Sequence, residues 1–475
     1  MYKNINNIEF DLTSKCNLSC KYCYLGKRDS KSIPLKAIKL FFDKFFDSLH
    51  SEKELLVSFW GGEPLIEFSK IKVIVQNFEK RKAIFKSINY RIITNGTLIS
   101  DKIAAFCNKH HISLQITIDG FKDYHDSVRH YENGTGSFDA IMKNLQKLNS
   151  YNIKYYIRVT LTSSAGLPSN IIRWLKDNDI KNVSFGILTP TEKYRDTDFN
   201  KEKADELAHD YIEYFKEHLF DEFEYSNISS LLTLITNQTP HRNCGVGINK
   251  ICIRYDGKVF PCHRYSNTDE LSIGSIFSGF DIMLLYPHKY ELLEENIACI
   301  NCDIKYLCGG ACYYEIQNNK NLNWINEYEC RYRISLIKAL LKHLCHLYLY
   351  DKVSFNLLLK KFNVMCDTKQ YTSSNMHDIK SFVFCRAAGS GVIDLNDSGV
   401  IYRHDNFENK YITNSVGMAI WDLLDGCRTA KEIAEEIAGA CKFPLCDIES
   451  DIYEQLSLLY SYKLVERKSF ERLDV

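Results

Sequence analysis

The chain has 475 residues, 45% of them hydrophobic and 25% charged, with 60 Lys and Arg against 60 Asp and Glu. That length supplies two or three domains with full cores, and the balanced charge excludes an overall field that would draw in nucleic acid or an anionic membrane. Residues 1–7 carry no apolar run of the signal-peptide kind, and no apolar stretch is long enough to span a bilayer, so a cytoplasmic protein is expected. Eighteen cysteines in such a chain read as metal ligands or redox centres rather than disulfides.

From the start to about residue 190, one pattern repeats: a short β-rich run, then a longer segment of helical period. Strands are predicted at Ile8–Leu12, Leu55–Trp60, Tyr90–Thr94, Leu114–Ile118, Tyr155–Thr162 and Asn182–Leu188. Helices are predicted at Leu35–Leu49, Lys70–Lys82, Ile103–Lys109, Phe138–Asn149 and Asn170–Asn178. Six such units imply a parallel sheet with right-handed crossovers, an α/β partial (β/α)6 barrel, whose chemistry sits beyond the carboxyl ends of the strands. The unusual residues fall at those ends: a cysteine group after the first strand, Gly61-Gly62-Glu63-Pro64 after the second, Asn95-Gly96 after the third and Asp119-Gly120 after the fourth. A connecting helix is expected at Ala204–Phe220, then a cysteine-rich region from Cys244 to Cys330, a basic helix at Arg331–Leu349 and a helical or looped linker at Asp351–Asp378.

The first cysteine group is Cys16-Asn17-Leu18-Ser19-Cys20-Lys21-Tyr22-Cys23. One loop with this spacing brings three thiolates to three corners of a cuboidal cluster and leaves the fourth iron open. A structural zinc site would need a fourth ligand, and the nearest histidine, His50, lies beyond a predicted helix. With Gly61-Gly62-Glu63-Pro64 after the next strand, the arrangement resembles the radical S-adenosylmethionine (SAM) superfamily. Thr94-Asn95-Gly96-Thr97, Thr117-Ile118-Asp119-Gly120, His125-Asp126-Ser127-Val128-Arg129 and Gly134-Thr135-Gly136-Ser137-Phe138 follow in the order of its peptide-modifying members.

The resemblance implies a 4Fe–4S cluster on Cys16, Cys20 and Cys23, with SAM on the open iron. It implies SAM contacts from Tyr22, Gly61, Gly62, Glu63, Asn95, Thr117 and Arg129, the GGEP backbone taking the methionine amino group. Thr117 stands where the family usually has serine and keeps the hydroxyl. Arg129 suits the methionine carboxylate, because a guanidinium binds it through two parallel bonds; the competing reading is a surface ion pair with Asp126. Arg158 is a weaker candidate of the same kind. Tyr22 either packs near the adenine or fills a core.

Cys299-x2-Cys302-x5-Cys308-x3-Cys312, then Cys330, is preceded by Cys244 and by Gly257-x4-Cys262. These seven cysteines resemble the SPASM extension of radical SAM enzymes, which implies two auxiliary 4Fe–4S clusters. One would take Cys244, Cys262 and Cys312, with Cys252 as fourth ligand or an iron left open to a substrate thiolate. The other would take Cys299, Cys302, Cys308 and Cys330. A zinc ribbon is the alternative for the paired cysteines, and Cys252 as a small buried hydrophobe is the alternative there.

In the last unit, strands are predicted at Phe382–Cys385, Val392–Leu395 and Val400–Arg403, and helices at Asn414–Leu424, Thr429–Ala440 and Asp447–Tyr462. Thr429 and Glu432 form a capping box, and Gly426 suits a left-handed helix stop. The order suits a winged-helix-like α+β domain, but residues 381–475 hold 10 Lys and Arg against 16 Asp and Glu, the wrong sign for phosphate. The run from Asn414 to Thr429 resembles instead the precursor-recognition domain related to pyrroloquinoline quinone synthesis. Such a domain binds a leader peptide by strand addition; here, trailing the rest of the chain, packing against the core alone is the alternative.

The expected layout is a radical SAM partial barrel over 1–235, a SPASM domain over 236–345, a linker over 346–380 and a recognition domain over 381–475. The resemblance implies a maturase that uses a 5′-deoxyadenosyl radical to install an oxidative crosslink (thioether, carbon–carbon or ether) in a ribosomally made precursor peptide, with a flavodoxin or ferredoxin as electron donor and no nucleic-acid or membrane partner. A formylglycine-generating sulfatase maturase and a non-catalytic iron–sulfur redox sensor are the alternatives. No residue is assigned as general base; His263, beside Cys262, is a candidate with a structural role favoured.

Overall fold

The computed structural model describes residues 5–25, 30–46, 54–190, 194–236, 246, 249–267, 269–281, 299, 301–310, 312, 314, 327–362, 383–388, 390–396, 398–403, 410–442 and 444–468. Cys244 and the segment 363–378 lie outside these residues.

The six predicted strands are present: β1 (Asn7–Asp11), β2 (Glu54–Trp60), β3 (Ser87–Thr94), β4 (Ile112–Thr117), β5 (Tyr155–Leu161) and β6 (Asn182–Ile187), all paired in parallel in sequence order. A two-residue strand, β7 (Glu224–Tyr225), continues the sheet beyond β6. On β4, β5 and β6 the side chains alternate in burial. Leu114, Ile116, Ile157, Val159, Val183 and Phe185 are fully buried in the main core. The half-buried Gln115, Thr117, Tyr156, Arg158, Thr160 and Ser184 share the opposite face. That two-residue period gives one sheet an apolar outer face under the helices and a polar inner face.

Helices at Leu35–Lys44, Phe68–Glu79, Asp101–Lys109, Phe138–Ser150 and Pro168–Asp177 match the sequence reading within a few residues. Under β1 and β2, Phe10, Phe41, Phe42, Phe46, Phe59 and Phe78 form an aromatic core, with Phe42 edge-on to Phe78 at 5.0 Å and Phe10 edge-on to Phe41 at 5.4 Å. Edge-to-face pairs of this kind add to the area they bury. Two further helices, Lys122–Val128 and Ser226–Thr236, were not foreseen.

The cysteine-rich region departs more from expectation. Its first part is a continuation of the barrel sheet: β8 (Lys250–Arg254) lies parallel to β1, and β9 (Lys258–Phe260), β10 (Gly274–Ser275) and β11 (Gly279–Phe280) follow as antiparallel neighbours. Cys252 is thereby set opposite Glu9 of β1. The long helix Glu327–Tyr350 carries Cys330 and packs on the helix Lys201–Glu217.

The C-terminal unit contains two three-stranded sheets. One is ordered β13 (Ser390–Asp394), β14 (Ser398–Arg403), β15 (Lys410–Asn414); the other is β16 (Asp425–Thr429), β12 (Val383–Arg386), β17 (Val465–Lys468). The predicted helices appear at Ser415–Asp422, Ala430–Cys441 and Leu445–Ser461, and both arms of the Thr429–Glu432 capping box are formed. Gly426 is left-handed, with φ +77°, but it sits within β16 rather than simply stopping a helix. Trp421 is fully buried among Phe384, Ile401, Ile433 and Leu456. Its carbonyl accepts from Arg386 Nε at 3.1 Å, with that guanidinium 5.1 Å from the indole ring.

Trp421→Ala should therefore destabilise this unit by about 3–5 kcal/mol. Hydrogen exchange checks it: amides of the 430–441 and 445–461 helices should lose protection while those of β2 and β3 keep theirs.

Candidate active site at the barrel mouth

The loop after β1 holds Cys16, Cys20 and Cys23, none of them in a disulfide. Its backbone is stitched to the segment before the 138–150 helix: Ser19 N donates to His130 O at 2.7 Å and Lys21 N to Val128 O at 3.0 Å. Donors also face the sulfurs. Leu18 N lies 3.5 Å and Asn95 Nδ2 3.8 Å from Cys16 Sγ, and Arg129 Nη1 lies 3.6 Å from Cys20 Sγ. Such contacts stabilise thiolates, the form that ligates iron, so the donor set fits a thiolate-held cluster. Among the described residues no three His, Cys, Asp or Glu side chains converge on a single ion.

The Gly61–Pro64 loop docks directly on this segment. Gly62 N donates to Thr13 O and Glu63 N to Lys15 O, both at 2.8 Å. A Cβ on Gly62 would sit 2.2 Å from Lys15 O, and one on Gly61, at φ +142°, 2.5 Å from Thr13 O. Both positions need glycine for that close approach. Glu63 turns inward: its carboxylate, fully buried, accepts from Leu65 N at 3.0 Å, Thr94 Oγ1 at 2.8 Å and Asn95 N at 2.8 Å. Burial raises its pKa to about 7 against those three bonds. The side chain braces the 94–97 turn, where Asn95 Nδ2 also reaches Asn17 Oδ1 at 2.9 Å and Asn95 Oδ1 accepts from Thr97 N at 2.9 Å.

Arg129 is not a surface group, and its partner is not Asp126. The guanidinium is 14% exposed and its Nε donates to the fully buried carboxylate of Asp119, while Asp126 caps the following helix by accepting from Phe138 N at 2.9 Å. Asp119 also accepts from the Tyr22 hydroxyl and, at 2.7 Å, from Thr160 N. Desolvation opposes the charge on Arg129, but Asp119 beside it holds the pKa above the ordinary value. Tyr22 is buried against Val128 and Leu188, with the Arg129 guanidinium 5.1 Å from its ring. Asp119 N donates to His125 Nδ1 at 3.1 Å, so Nε2 carries the proton toward Ser137 Oγ at 2.9 Å, and Ser137 Oγ donates to Arg129 O at 2.9 Å. Burial lowers His125 to about 4, which keeps it neutral. Thr117 ends β4 half-buried, in register with Arg158. Arg158 is committed elsewhere, donating to Ser184 Oγ at 3.0 Å and Phe185 O at 2.7 Å.

A short turn after Cys262, His263–Asn267, joins this mouth to the cysteine-rich part. His263 N and Nδ1 lie 2.9 and 3.1 Å from Glu9 Oε2, and the ring stacks on Trp60 at 3.7 Å. Burial alone would raise Glu9, but His263 and Lys250 hold it down at about 2. Ser266 Oγ donates to Asp11 at 3.2 Å, and burial lifts Asp11 to about 7. Trp60 Nε1 is buried with no hydrogen-bond partner among the described residues. Sequence reasoning missed Glu9, Asp11 and Trp60, since a strand carboxylate and a strand tryptophan carry no motif.

The cysteines gather in two groups. Cys252 and Cys262 lie in one buried cluster with Phe260 and Tyr265. Cys312 is close enough to help push Cys262, through burial first, up to about 12. Cys299, Cys302, Cys308 and Cys330 form the other: burial and mutual repulsion raise Cys299 to about 11 and Cys330 to about 12. Burial alone keeps these thiols protonated, and a ligated metal's positive charge would reverse that preference.

This geometry defines a partial-barrel protein with an N-terminal three-cysteine loop and a cysteine-rich region that begins as a continuation of the barrel sheet. Residues 11–162 match the radical SAM superfamily and residues 390–465 match coenzyme PQQ synthesis protein D (PqqD), so the chain carries a radical SAM domain and a PqqD-type domain. An uncharacterized protein of Methanocaldococcus jannaschii, MJ0907, is 32% identical over 195 residues, 41% of this chain and 66% of the relative. A cysteine-type anaerobic sulfatase-maturating enzyme of Clostridium novyi is 27% identical, covering 68% of this chain and 91% of its own. The radical SAM cyclopropyl synthase TigE of Paramaledivibacter caminithermalis is 23% identical, covering 74% and 76%. The solved structure of native anSMEcpe with bound AdoMet and Kp18Cys peptide shares the fold, with TM-score 0.60 and 18% identity over 76% of this chain and 99% of that one.

Glu63 gives a pH test. Its folded carboxyl binds a proton more tightly than the unfolded one, so its contribution is most favourable below about pH 4.5 and is lost as the pH rises to about 7. Glu63→Gln should flatten the stability profile across that window. It should also cost about 1–3 kcal/mol, because its amide cannot accept from Asn95 N; urea titrations from pH 5 to 8 measure both.

Proposed function

We propose that this chain is a peptide maturase that installs an oxidative crosslink in a ribosomally made precursor, whose leader the C-terminal domain holds. The single observation that carries this is the joining, in one chain, of an open three-thiolate loop braced by Gly61–Pro64 with a PqqD-type domain over residues 390–465. When bound, SAM and the cluster at Cys16, Cys20 and Cys23 supply a 5′-deoxyadenosyl radical able to take a hydrogen atom from the peptide.

The chain's own groups bind and orient. Gly62 N and Glu63 N are already used by Thr13 and Lys15, so the loop has carbonyl oxygens to offer, the acceptors that an ammonium such as that of methionine needs. Arg129 has its Nε on Asp119 and Nη1 facing Cys20, which leaves Nη2 for a carboxylate. Asn95, Thr117 and Tyr22 complete the proposed SAM contacts. The Cys299, Cys302, Cys308 and Cys330 group would hold one auxiliary cluster, and Cys262, Cys312 and Cys244, with Cys252 as fourth ligand, the other. We assign the barrel to 1–235, the SPASM part to 236–345, the linker to 346–380 and the recognition domain to 381–475, in a cytoplasmic protein served by a flavodoxin or ferredoxin.

TigE is a cyclopropyl synthase and the C. novyi relative a sulfatase-maturating enzyme. The PqqD-type domain favours a short precursor over a folded sulfatase. Reduced, reconstituted protein incubated with SAM should release 5′-deoxyadenosine, and Cys16→Ala should abolish it. A precursor encoded beside the gene should gain a crosslink by mass spectrometry. Removing its leader should lower kcat/KM by about tenfold or more, the equivalent of about 1.4 kcal/mol of lost binding. Equal processing with and without leader would defeat the proposed role of the C-terminal domain.

A further inference from the structure

Among the described residues, each of the three cysteine groups has an arginine aimed at a sulfur. Arg129 Nη1 lies 3.6 Å from Cys20 Sγ, Arg264 Nη1 lies 3.6 Å from Cys312 Sγ, and Arg333 Nη1 lies 3.7 Å from Cys308 Sγ. Each guanidinium is also fixed by a second contact that sets its direction. Arg129 is tied to Asp119; Arg264 Nη2 donates to Thr189 Oγ1 at 3.0 Å; Arg333 Nη1 donates to Gly310 O at 3.1 Å, with its Nε 3.4 Å from Glu329. None of the three belongs to a cysteine motif. Arg264 sits in a turn, Arg333 on the 327–350 helix and Arg129 directly after the 122–128 helix.

Arg264 occupies the most telling place. It sits in the His263–Asn267 turn, whose other residues reach Glu9, Asp11 and the carbonyl of Tyr24. Its guanidinium lies 5.9 Å from the ring of Tyr24, the residue after Cys23. It therefore stands between the SAM-cluster loop and the cysteine group of Cys262 and Cys312, anchored to the barrel at Thr189.

We propose that Arg264 is a positioning residue that sets the reduction potential of the auxiliary site at Cys262 and Cys312 by hydrogen-bonding the Cys312 sulfur. This rests on the reading that those cysteines hold an iron–sulfur cluster. A charge-assisted N–H bond to a ligating sulfur withdraws electron density and favours the reduced, more negative form, so the potential rises. Arg333 acts in the same way on the group containing Cys308. Two sites built from the same ligand type are thus tuned separately, each by one side chain.

The test is an anaerobic, EPR-monitored redox titration of the reconstituted full chain, with the two auxiliary signals assigned through Cys312→Ser and Cys330→Ser. Arg264→Gln should lower the midpoint of the Cys262/Cys312 site by the equivalent of about tenfold in its reduction equilibrium, roughly 59 mV for one electron. The site of Cys299, Cys302, Cys308 and Cys330 should stay in place. Arg264→Lys should recover part of the shift, and Arg333→Gln should reverse the pattern. Should Arg264→Gln lose iron, Thr189→Val, which removes the Thr189 anchor of the guanidinium while keeping its charge, should give a smaller shift in the same direction. An unmoved midpoint in these variants, or equal shifts at both auxiliary sites, would reduce Arg264 to a clamp and overturn the proposal. Wild-type iron content separates the two readings: a chain without auxiliary clusters defeats the functional assignment, whereas intact clusters with insensitive midpoints defeat only the role of Arg264.

Discussion

The carboxylate of Asp119, at the end of β4, is the constraint on which the barrel mouth depends. It is fully buried, and a buried charge persists only where it is paired and hydrogen-bonded. It takes Arg129 and Tyr22 on one oxygen and Thr160 N on the other. Tyr22 lies inside the cysteine loop, Thr160 on β5, and Arg129 faces Cys20. One carboxylate thus ties the loop, a neighbouring strand and the cation beside the sulfur to a single point. The neutral His125 behind it, bridging Asp119 N and Ser137, fixes the segment that delivers Arg129.

A second fixed point, built the same way, joins the barrel to the cysteine-rich region. Glu9 is buried and holds His263 and Lys250. Because β8 continues the sheet in parallel beside β1, the strand that leads into Cys16 and the strand that carries Cys252 are direct neighbours. The two cysteine groups are therefore placed by one sheet and not by a flexible connection. The stack of His263 on Trp60 extends that link to the strand that enters Gly61–Pro64. Charge burial on this scale is costly, and here it is spent where rigidity at the mouth has a use.

What the sequence revealed and what it concealed follow from range. The strands β1–β6 and their helices were legible because two- and 3.6-residue periods are local. The cysteine loop and Gly61–Pro64 were legible because close approach and thiolate ligation demand particular residues. The roles within the site were less so. Glu63 reads as one of the SAM-contacting residues of the Gly61–Pro64 loop, and its side chain braces Leu65, Thr94 and Asn95 from inside. Arg129 reads as a cation for the methionine carboxylate or as a partner of Asp126 three residues away, and its Nε pairs instead with the buried Asp119. Both outcomes depend on tertiary placement, which spacing does not encode. β16 and β17 escaped for a similar reason: Asp425–Thr429 and Val465–Lys468 lack alternation and become strands only by pairing with β12.

The C-terminal unit shows how a small domain can be joined firmly without a long interface. β14 serves two cores at once. Ile401 faces Trp421 and the three helices of the unit, while Val400 and Tyr402 belong to the core of the main body with Leu340 and Leu344 of the 327–350 helix. A strand whose alternate residues are buried on both faces cannot slip by one residue without turning both sets the wrong way. The Tyr402 hydroxyl adds a bond to Asp303 O at 3.1 Å, and Lys338 reaches the Asp303 carboxylate at 2.6 Å, directly after Cys302. The same helix contributes Cys330 to that cysteine group. Strand, helix and cysteine loop consequently hold one another in register.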